Sequence, residues 1–467
     1  MCGEYQRLQE AAREVEREIR ELQENARVNS ASERAALERR LDELSIKRSS
    51  LTKALILLRS VDTCEFRDQQ RRFIRQLPHK YHAHGTRRKV VHLPGGVDVT
   101  LNVTYFHRQK DPAKASRKPQ RGLFPALMLL GISSGLTPLV RQRMAKASAL
   151  LGSYEEAAEM LSGEGICVTV NTLRAVCGVI GRKLTRLTQD GRVKVAGNIA
   201  NRRIVVSLDG GRVRLREPRK GRTKKGRKKF AAKWREPRLF IIYAVDEQGL
   251  MADDFAPIID GTLASCDRLF EMLHAYLVSL KVTAASRILF VADGAAWIWK
   301  RIPQLIRALE LKAEQVQQLI DFWHAVEYLG KIADSKNLKG SSRKRWLTTQ
   351  KKRLLRSEIG SVVTELKTLL SGRRTKSQKT WLNDFINHGL VHRRMDYSTS
   401  RSQKMPIGSG AIESAIRRVV NLRVKSNSTY WLRENAETVI RLRAWLKAGR
   451  AEELFQQTTY VTNDLVA

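Results

Sequence analysis

Apolar positions in the first sixty residues recur at three- and four-residue steps. Tyr5, Leu8, Ala12, Val15, Ile19 and Leu22 follow a 3-4-3-4-3 spacing, a heptad seam along one helix. After an interruption at residues 25–32, Leu37, Leu41, Leu44, Leu51, Leu55 and Leu58 continue a heptad, with Arg48 in the one missing slot. Ser30 followed three residues later by Glu33 reads as a capping box that restarts a helix. Two helices sharing a seam pair either as a hairpin within one chain or as a coiled coil between chains, and the pattern leaves both open.

Beyond residue 66 the period changes from helix-like to strand-like. Val97, Val99, Leu101, Val103 and Tyr105 alternate with Asp98, Thr100, Asn102 and Thr104, which predicts a half-buried strand. Val90-Val-His-Leu before Pro94-Gly-Gly supplies its hairpin partner, and residues 110–121 read as a polar basic linker. Residues 123–195 are helical again. Ser153 caps a helix that stops at Gly163 and Gly165, and a second starts near Thr169 or Asn171. Helix, glycine turn, helix is the pattern of a helix-turn-helix DNA reader, and equally that of two ordinary packed helices.

Residues 200–325 alternate strands and helices. Arg203-Ile-Val-Val-Ser-Leu-Asp is a buried strand ending in a carboxylate. Leu239-Phe-Ile-Ile-Tyr-Ala-Val follows across a long basic loop, and residues 251–259 make a third strand. An amphipathic helix covers residues 263–280, Arg287-Ile-Leu-Phe-Val-Ala-Asp is a fourth strand, and Gln318-Leu-Ile-Asp closes a short fifth after another helix. Residues 323–400 are helical and basic, and residues 408–448 form one or two helices.

Charge decides the class of partner. The 467 residues carry 86 Lys+Arg against 47 Asp+Glu, a net charge of +39 and a pI near 10.5. The first fifty are balanced, 10 basic against 11 acidic, so the whole excess lies beyond them. The natural polyanion is double-stranded DNA, where neutralised phosphates release counterions. No apolar run reaches the ~18 residues of a membrane span, and the N-terminus lacks a signal-peptide core. A reducing cytosol is the expected location. Five scattered cysteines without a Cys-x-x-Cys indicate neither a disulfide framework nor a zinc site. With 42% apolar residues the chain has enough for real cores.

Asp209 and Asp293 each end a β-branched run and precede glycine. A lone strand-end Asp is often a turn residue. A pair is more informative, because the β-β-β-α-β-α-β order spanning them is that of the ribonuclease-H fold. There the first and fourth strands lie side by side, which brings both carboxylates together where they can share hard divalent cations. A third acid is then needed from a later helix. Pro406-Ile-Gly-Ser-Gly-Ala-Ile-Glu-Ser supplies Glu413, at the edge of a face made by Ile412, Ile416, Val419 and Val420.

Four segments carry a resemblance: Ser207-Leu-Asp-Gly-Gly-Arg, Val291-Ala-Asp-Gly-Ala-Ala-Trp, Ile320-Asp-Phe-Trp-His-Ala-Val-Glu-Tyr-Leu and Pro406-Ile-Gly-Ser-Gly-Ala-Ile-Glu-Ser. Together over residues 140–450 they resemble a DDE transposase of bacterial insertion sequences, closest to the ISKra type. Trp431-Leu-Arg-Glu-Asn-Ala-Glu-Thr-Val-Ile-Arg-Leu-Arg-Ala-Trp resembles the C-terminal helix of that group. The resemblance implies an α/β ribonuclease-H-like core with a helical insertion, preceded by helical regions and a β-hairpin. It implies Asp209, Asp293 and Glu413 as a catalytic triad holding two Mg²⁺ or Mn²⁺ ions. It also implies cleavage of element ends with strand transfer into target DNA, by a homodimer or higher oligomer. A DNA-binding derivative without catalysis and a metal-dependent endonuclease that never transposes are the rival readings.

Several residues stand beside that triad. Asp321 and His324 form an Asp-x-x-His pair, either a contact behind the metal ligands or to a DNA end, or a simple helix cap. Trp297, Trp299 and Trp323 either stack on a flipped base or fill core. Residues 212–238 hold 14 Lys+Arg and two Glu, a phosphate-tracking arm in which Arg212, Arg214, Lys224, Lys225, Arg227, Lys228 and Lys229 are candidate DNA contacts. Arg343, Lys344 and Arg345 on the insertion, and Arg417, Arg418 and Arg423 after Glu413, complete that set. Similar transposases often carry a cysteine pair after the N-terminal hairpin, and Tyr105-Phe-His-Arg-Gln-Lys has none. The expected organisation is 1–65 helical hairpin or coiled coil, 66–122 β-hairpin and linker, 123–195 helix-turn-helix-like region, 196–322 first part of the core, 323–400 insertion, 401–450 core C-terminal helices and 451–467 tail.

Overall fold

The structure, a computed structural model, describes residues 2–108, 122–223, 226–426 and 429–460. It divides into two compact units, residues 1–180 with 454–467, and residues 181–453. The expected basic linker at residues 110–121 and Lys224 and Lys225 lie outside the described residues.

In the first unit, α1 (Cys2–Asn25) and α2 (Ala31–Val61) pair antiparallel within the chain. Arg40 reaches Glu18 and Arg59 reaches the Tyr5 hydroxyl across the seam. Ser30 caps α2 by accepting from the Glu33 amide, and the Glu33 carboxylate reaches back to the Asn29 amide. Their apolar seam does not stop at the hairpin. Leu8, Val15, Leu44, Leu51 and Leu58 share one buried core with Val91, Val99, Leu101 and Val103. Those valines and leucines line one face of an antiparallel ribbon, β1 (Tyr81–Leu93) and β2 (Val97–Arg108). The seam is therefore filled from inside the chain, and removing residues 1–60 would strip that ribbon of its cover. A helix, α3 (Cys64–Arg75), precedes the ribbon where the sequence pattern suggested none; Thr63 caps it. The rest of this unit is α4 (Pro125–Leu129), α5 (Pro138–Leu150), α6 (Tyr154–Gly163) and the first half of α7 (Val170–Gln189). The Ser153 cap and the stop at Gly163 stand as the sequence suggests.

The second unit is a mixed α/β assembly. Its sheet is formed by β3 (Arg203–Gly210), β6 (Arg238–Val245), β7 (Ile258–Thr262), β8 (Arg287–Ala292) and β9 (Val316–Ile320), with β4 (Val213–Arg222) and β5 (Lys228–Arg235) forming a separate ribbon. The order across the sheet is β7-β6-β3-β8-β9. The β3–β6 and β6–β7 pairs are antiparallel; β3–β8 and β8–β9 are parallel. The central strands are buried on both faces, which is why they read as unbroken apolar runs. Two expectations change. The third strand begins at Ile258, because residues 246–250 make a turn after which Met251 only bridges back to Val245. The long basic loop is not a loop but the paired ribbon β4–β5.

Helices flank the sheet: α8 (Cys266–Ser279), α9 (Ala296–Trp299) and α10 (Ile302–Ala308) lie between strands. The expected insertion is five helices, α11 (Phe322–Ser335), α12 (Gly340–Leu355), α13 (Ile359–Leu369), α14 (Lys376–Phe385) and α15 (Tyr397–Ser402), with a π-helical turn at Ile386–Val391. Then follow α16 (Gly410–Ile416), a second π turn at Arg417–Asn421 and α17 (Arg433–Lys447), and α18 (Ala451–Thr459) falls from Leu454 onward in the first unit. No helix among the described residues is long and apolar enough to cross a membrane.

Candidate active site

The parallel pairing of β3 and β8 ends at Leu208 opposite Ala292, so Asp209 and Asp293 emerge together at the carboxyl edge of neighbouring strands. Asp209 is half-buried, and its Oδ1 accepts from the Gly210 amide at 2.6 Å. The chain then passes beneath the C-terminal helices. A Cβ at Gly211 would stand 3.3 Å from Val420 and 3.5 Å from Ile416, so the chain passes these side chains closely. Asp293 turns its Oδ1 to the Ala295 amide at 2.9 Å, and its carbonyl accepts from the Trp299 indole at 2.5 Å.

Glu413 stands on α16, which packs its Ile412, Ala415 and Ile416 against β3 and β6 and leaves Glu413 exposed. Burial pushes the Asp209 carboxyl up to about 6; the Gly210 amide opposes this, Asp293 and Glu413 add to it, and His324 pulls the other way.

Asp321 explains how α16 is held. It is 1% exposed. Its Oδ1 caps α11 by accepting from the His324 amide at 2.9 Å. Its Oδ2 accepts from both the amide and the hydroxyl of Ser409, the latter at 2.7 Å. Its own amide donates to the Ala292 carbonyl at 2.8 Å, and the next amide, Phe322, donates to Ile407 at 2.9 Å. One residue thus ties the end of Asp293's strand to the loop that launches Glu413's helix. It is a helix cap and a brace at once. Ser409, the other half of that brace, had no signal in sequence beyond the Gly-Ser-Gly string.

The tryptophans separate. Trp299 is buried, with the Arg394 guanidinium 4.6 Å from its ring. Trp297 is half-buried, with Arg238 5.4 Å from its ring and its edge toward Phe270. Trp323 is 63% exposed beside Gly408, where a Cβ would meet its ring at 3.4 Å. His324 is half-exposed, 3.7 Å from Glu327.

The basic residues separate as well. Arg212, Arg227, Lys228, Lys229, Lys344, Arg345 and Arg417 are exposed. Arg343 is held by Asp334 in a two-point ion pair. Arg214 lies between two aromatic rings of the ribbon base. Arg418 is half-buried, and its carbonyl receives Arg443. Arg423, expected to face DNA, is 7% exposed with its guanidinium 5.0 Å from the Trp431 ring, so it is a packing residue.

Among the described residues, no three His, Cys, Asp or Glu side chains stand close enough to enclose a metal ion unaided. Asp209 and Asp293 at adjacent strand ends, and Glu413 on the helix packed against β3, offer oxygen donors of the kind hard divalent cations take.

The raised Asp209 carboxyl has a consequence of testable sign. Asp209 has a folded value above its unfolded one, so the folded chain binds more protons between about pH 4 and 6, and stability falls as pH rises through that window. In metal-free buffer, Asp209→Asn should raise Tm at pH 7.5, by an amount corresponding to roughly 2–3 kcal/mol. At pH 4 the variant and wild type should melt together. An unchanged Tm at pH 7.5 would show that the Asp209 carboxylate carries no such burial cost.

No family model matches this chain, and no curated protein matches it. Among solved structures, it is similar to a chain of the Drosophila P element transposase strand transfer complex. The similarity is 10% in identity over 70% of this chain and 83% of that chain, with a TM-score of 0.23. A likeness at that level fixes neither the fold nor the chemistry of the present protein.

Proposed function

We propose that this protein is a DDE transposase of the ISKra type, which cuts the DNA ends of an insertion sequence and joins them to target DNA. The observation that carries the reading is the emergence of Asp209 and Asp293 side by side from parallel strands, with Glu413's helix packed on the first of them. The strand order, with its antiparallel second strand and parallel fourth and fifth, supports a ribonuclease-H-like core, and the helices from α11 to α15 stand where the insertion is expected.

Asp209, Asp293 and Glu413 would hold two Mg²⁺ or Mn²⁺ ions, which when bound would supply activation of the attacking oxygen and stabilisation of the leaving 3′-oxygen of a phosphodiester. The chain's own contribution is geometric. Asp321 and Ser409 fix the α16 loop to the end of β8. Trp323 and His324 flank that loop, where they can contact a DNA end. The exposed lysines and arginines neutralise phosphates of duplex DNA, and a homodimer or higher oligomer would bring two ends together.

Incubating the full chain with DNA carrying the repeats that flank its gene tests the reading. Cleavage at the repeat ends and joining to a second duplex are expected with Mg²⁺ or Mn²⁺ and not with EDTA. Activity that survives EDTA overturns the metal mechanism. Cutting without joining points to an endonuclease, and tight binding with neither points to a silent derivative.

A further inference from the structure

The ribbon β4–β5 begins four residues after Asp209 and has two chemically different faces. Strand register assigns them. Arg214, Arg216 and Pro218 on β4 stand opposite Trp234, Ala232 and Phe230 on β5, so these six share one face. Val213, Leu215 and Glu217 stand opposite Arg235, Lys233 and Ala231 on the other. That second face is committed to the fold. Val213 and Leu215 are buried, and Glu217 holds Arg235 and, at 2.7 Å, Lys233.

The first face is built of planar groups in sequence. The Arg214 guanidinium lies 5.2 Å from the Trp234 ring and 4.9 Å from the Tyr430 ring. Tyr430 stands 5.8 Å from Phe230, and the Arg216 guanidinium 5.0 Å from the same ring. Tyr430 is fixed there because its neighbour Trp431 pairs with β4. The Arg216 amide donates to the Trp431 carbonyl at 2.8 Å, and the Trp431 amide to that of Arg214 at 3.0 Å. Arg214 is oriented by a 2.6 Å bond to the Ser426 carbonyl. Yet the outer rings are left open to water, Trp234 at 52% and Phe230 at 42% exposure. Four residues apart on one strand, they stand about 13 Å from each other.

Phosphate tracking needs only the lysines and arginines of this ribbon. It does not account for two large aromatic rings held open among stacked guanidinium planes. Rings of that kind in a basic setting are what sequence-tolerant binding of single strands uses, because every unpaired base offers a π-face. A duplex buries those faces in its own stack and would present only groove edges to the ribbon. We propose that the Trp234–Arg214–Tyr430–Phe230–Arg216 face binds unpaired DNA, with bases stacked on Trp234 and Phe230. The strand that carries Arg214 and Arg216 starts four residues after Asp209. The use of a bound DNA strand in cutting rests on the function proposed above, and the binding itself does not.

The test compares a mixed-sequence single-stranded oligonucleotide with the duplex of the same length, by fluorescence anisotropy on the full chain in EDTA. Trp234→Ala and Phe230→Ala should each weaken single-strand binding by roughly 5- to 150-fold. Duplex binding should stay within about twofold, and the slope of log K against log salt should not change, since no phosphate contact is lost. Trp234→Phe and Phe230→Tyr should retain single-strand binding, which separates stacking from misfolding. As a contrast, Arg227, Lys228 and Lys229 replaced together by Gln should weaken both ligands and flatten the slope, by about 0.9 per lost contact on duplex and about 0.7 on single strands. Equal losses on the two ligands after removing an aromatic ring would make the face a duplex contact and overturn the proposal. Unchanged binding to both would make the ladder a brace for Tyr430 and also overturn it. Absence of metal-dependent cleavage, with single-strand selectivity intact, would sink only the transposase reading.

Discussion

Asp209→Asn, Asp293→Asn and Glu413→Gln are each expected to lower metal-dependent cleavage of element-end DNA by on the order of a thousandfold or more. The estimate follows from the several kcal/mol that Lewis-acid stabilisation supplies, at about 1.4 kcal/mol per tenfold in rate. Each change removes one ligand charge and almost no volume, so the packing of α16 on the sheet stays as it is. DNA binding should hold or tighten slightly, since an acid is lost from a chain of net charge +39. Asp209→Asn carries a second signature, because it removes the buried charge whose burial, with a smaller push from Asp293 and Glu413, raises the carboxyl to about 6. It should be the inactive variant that is also more stable at neutral pH without metal. A variant that keeps more than a tenth of wild-type cleavage does not belong to the triad.

The strands that place the acids were readable because they are buried on both faces. Residues 204–206 and 288–292 have no polar member; the second stretch runs directly into Asp293 before glycine, and the first reaches Asp209 before glycine through Ser207 and Leu208. Helix ends with side-chain caps were readable for the same local reason, as at Ser30 and Ser153. The failures arise where long-range pairing decides. A basic stretch with Arg, Lys and two glycines has low strand propensity, yet it forms β4–β5 because Glu217 and the 429–432 segment fix its base. The residues behind the candidate site were the least legible. Asp321 offered two equal readings in sequence, and only its bonds to Ser409, 88 residues away, make it a brace. Arg423 belongs to a basic cluster in sequence and to a tryptophan in space.

The same limit applies to Asp260 and Arg441, which no local pattern joins and which the structure buries completely, at 0% and 1% exposure. Arg441 donates to both carboxylate oxygens at 3.0 and 2.6 Å, and further to Thr185 and Thr188. Tyr276 adds a 2.6 Å bond to Asp260 and receives the Trp445 indole at 3.1 Å. The network fastens α17 to edge strand β7 and to α8. Removing one partner leaves the other charge buried without its counterion, a loss of roughly 3–5 kcal/mol. Arg441→Met should therefore lower Tm by on the order of 10 °C. Adding Asp260→Val should restore part of it, because the stranded charge goes too. The consequence reaches the candidate active site. Two residues along α17, Arg443 donates to the carbonyls of Val419 at 3.1 Å and Arg418 at 2.5 Å, at the end of the helix that carries Glu413. If that support matters, Arg441→Met should lose cleavage at temperatures well below its own melting, and the double variant should regain some. Single variants that melt like wild type would show that the pair neither locks α17 nor steadies Glu413.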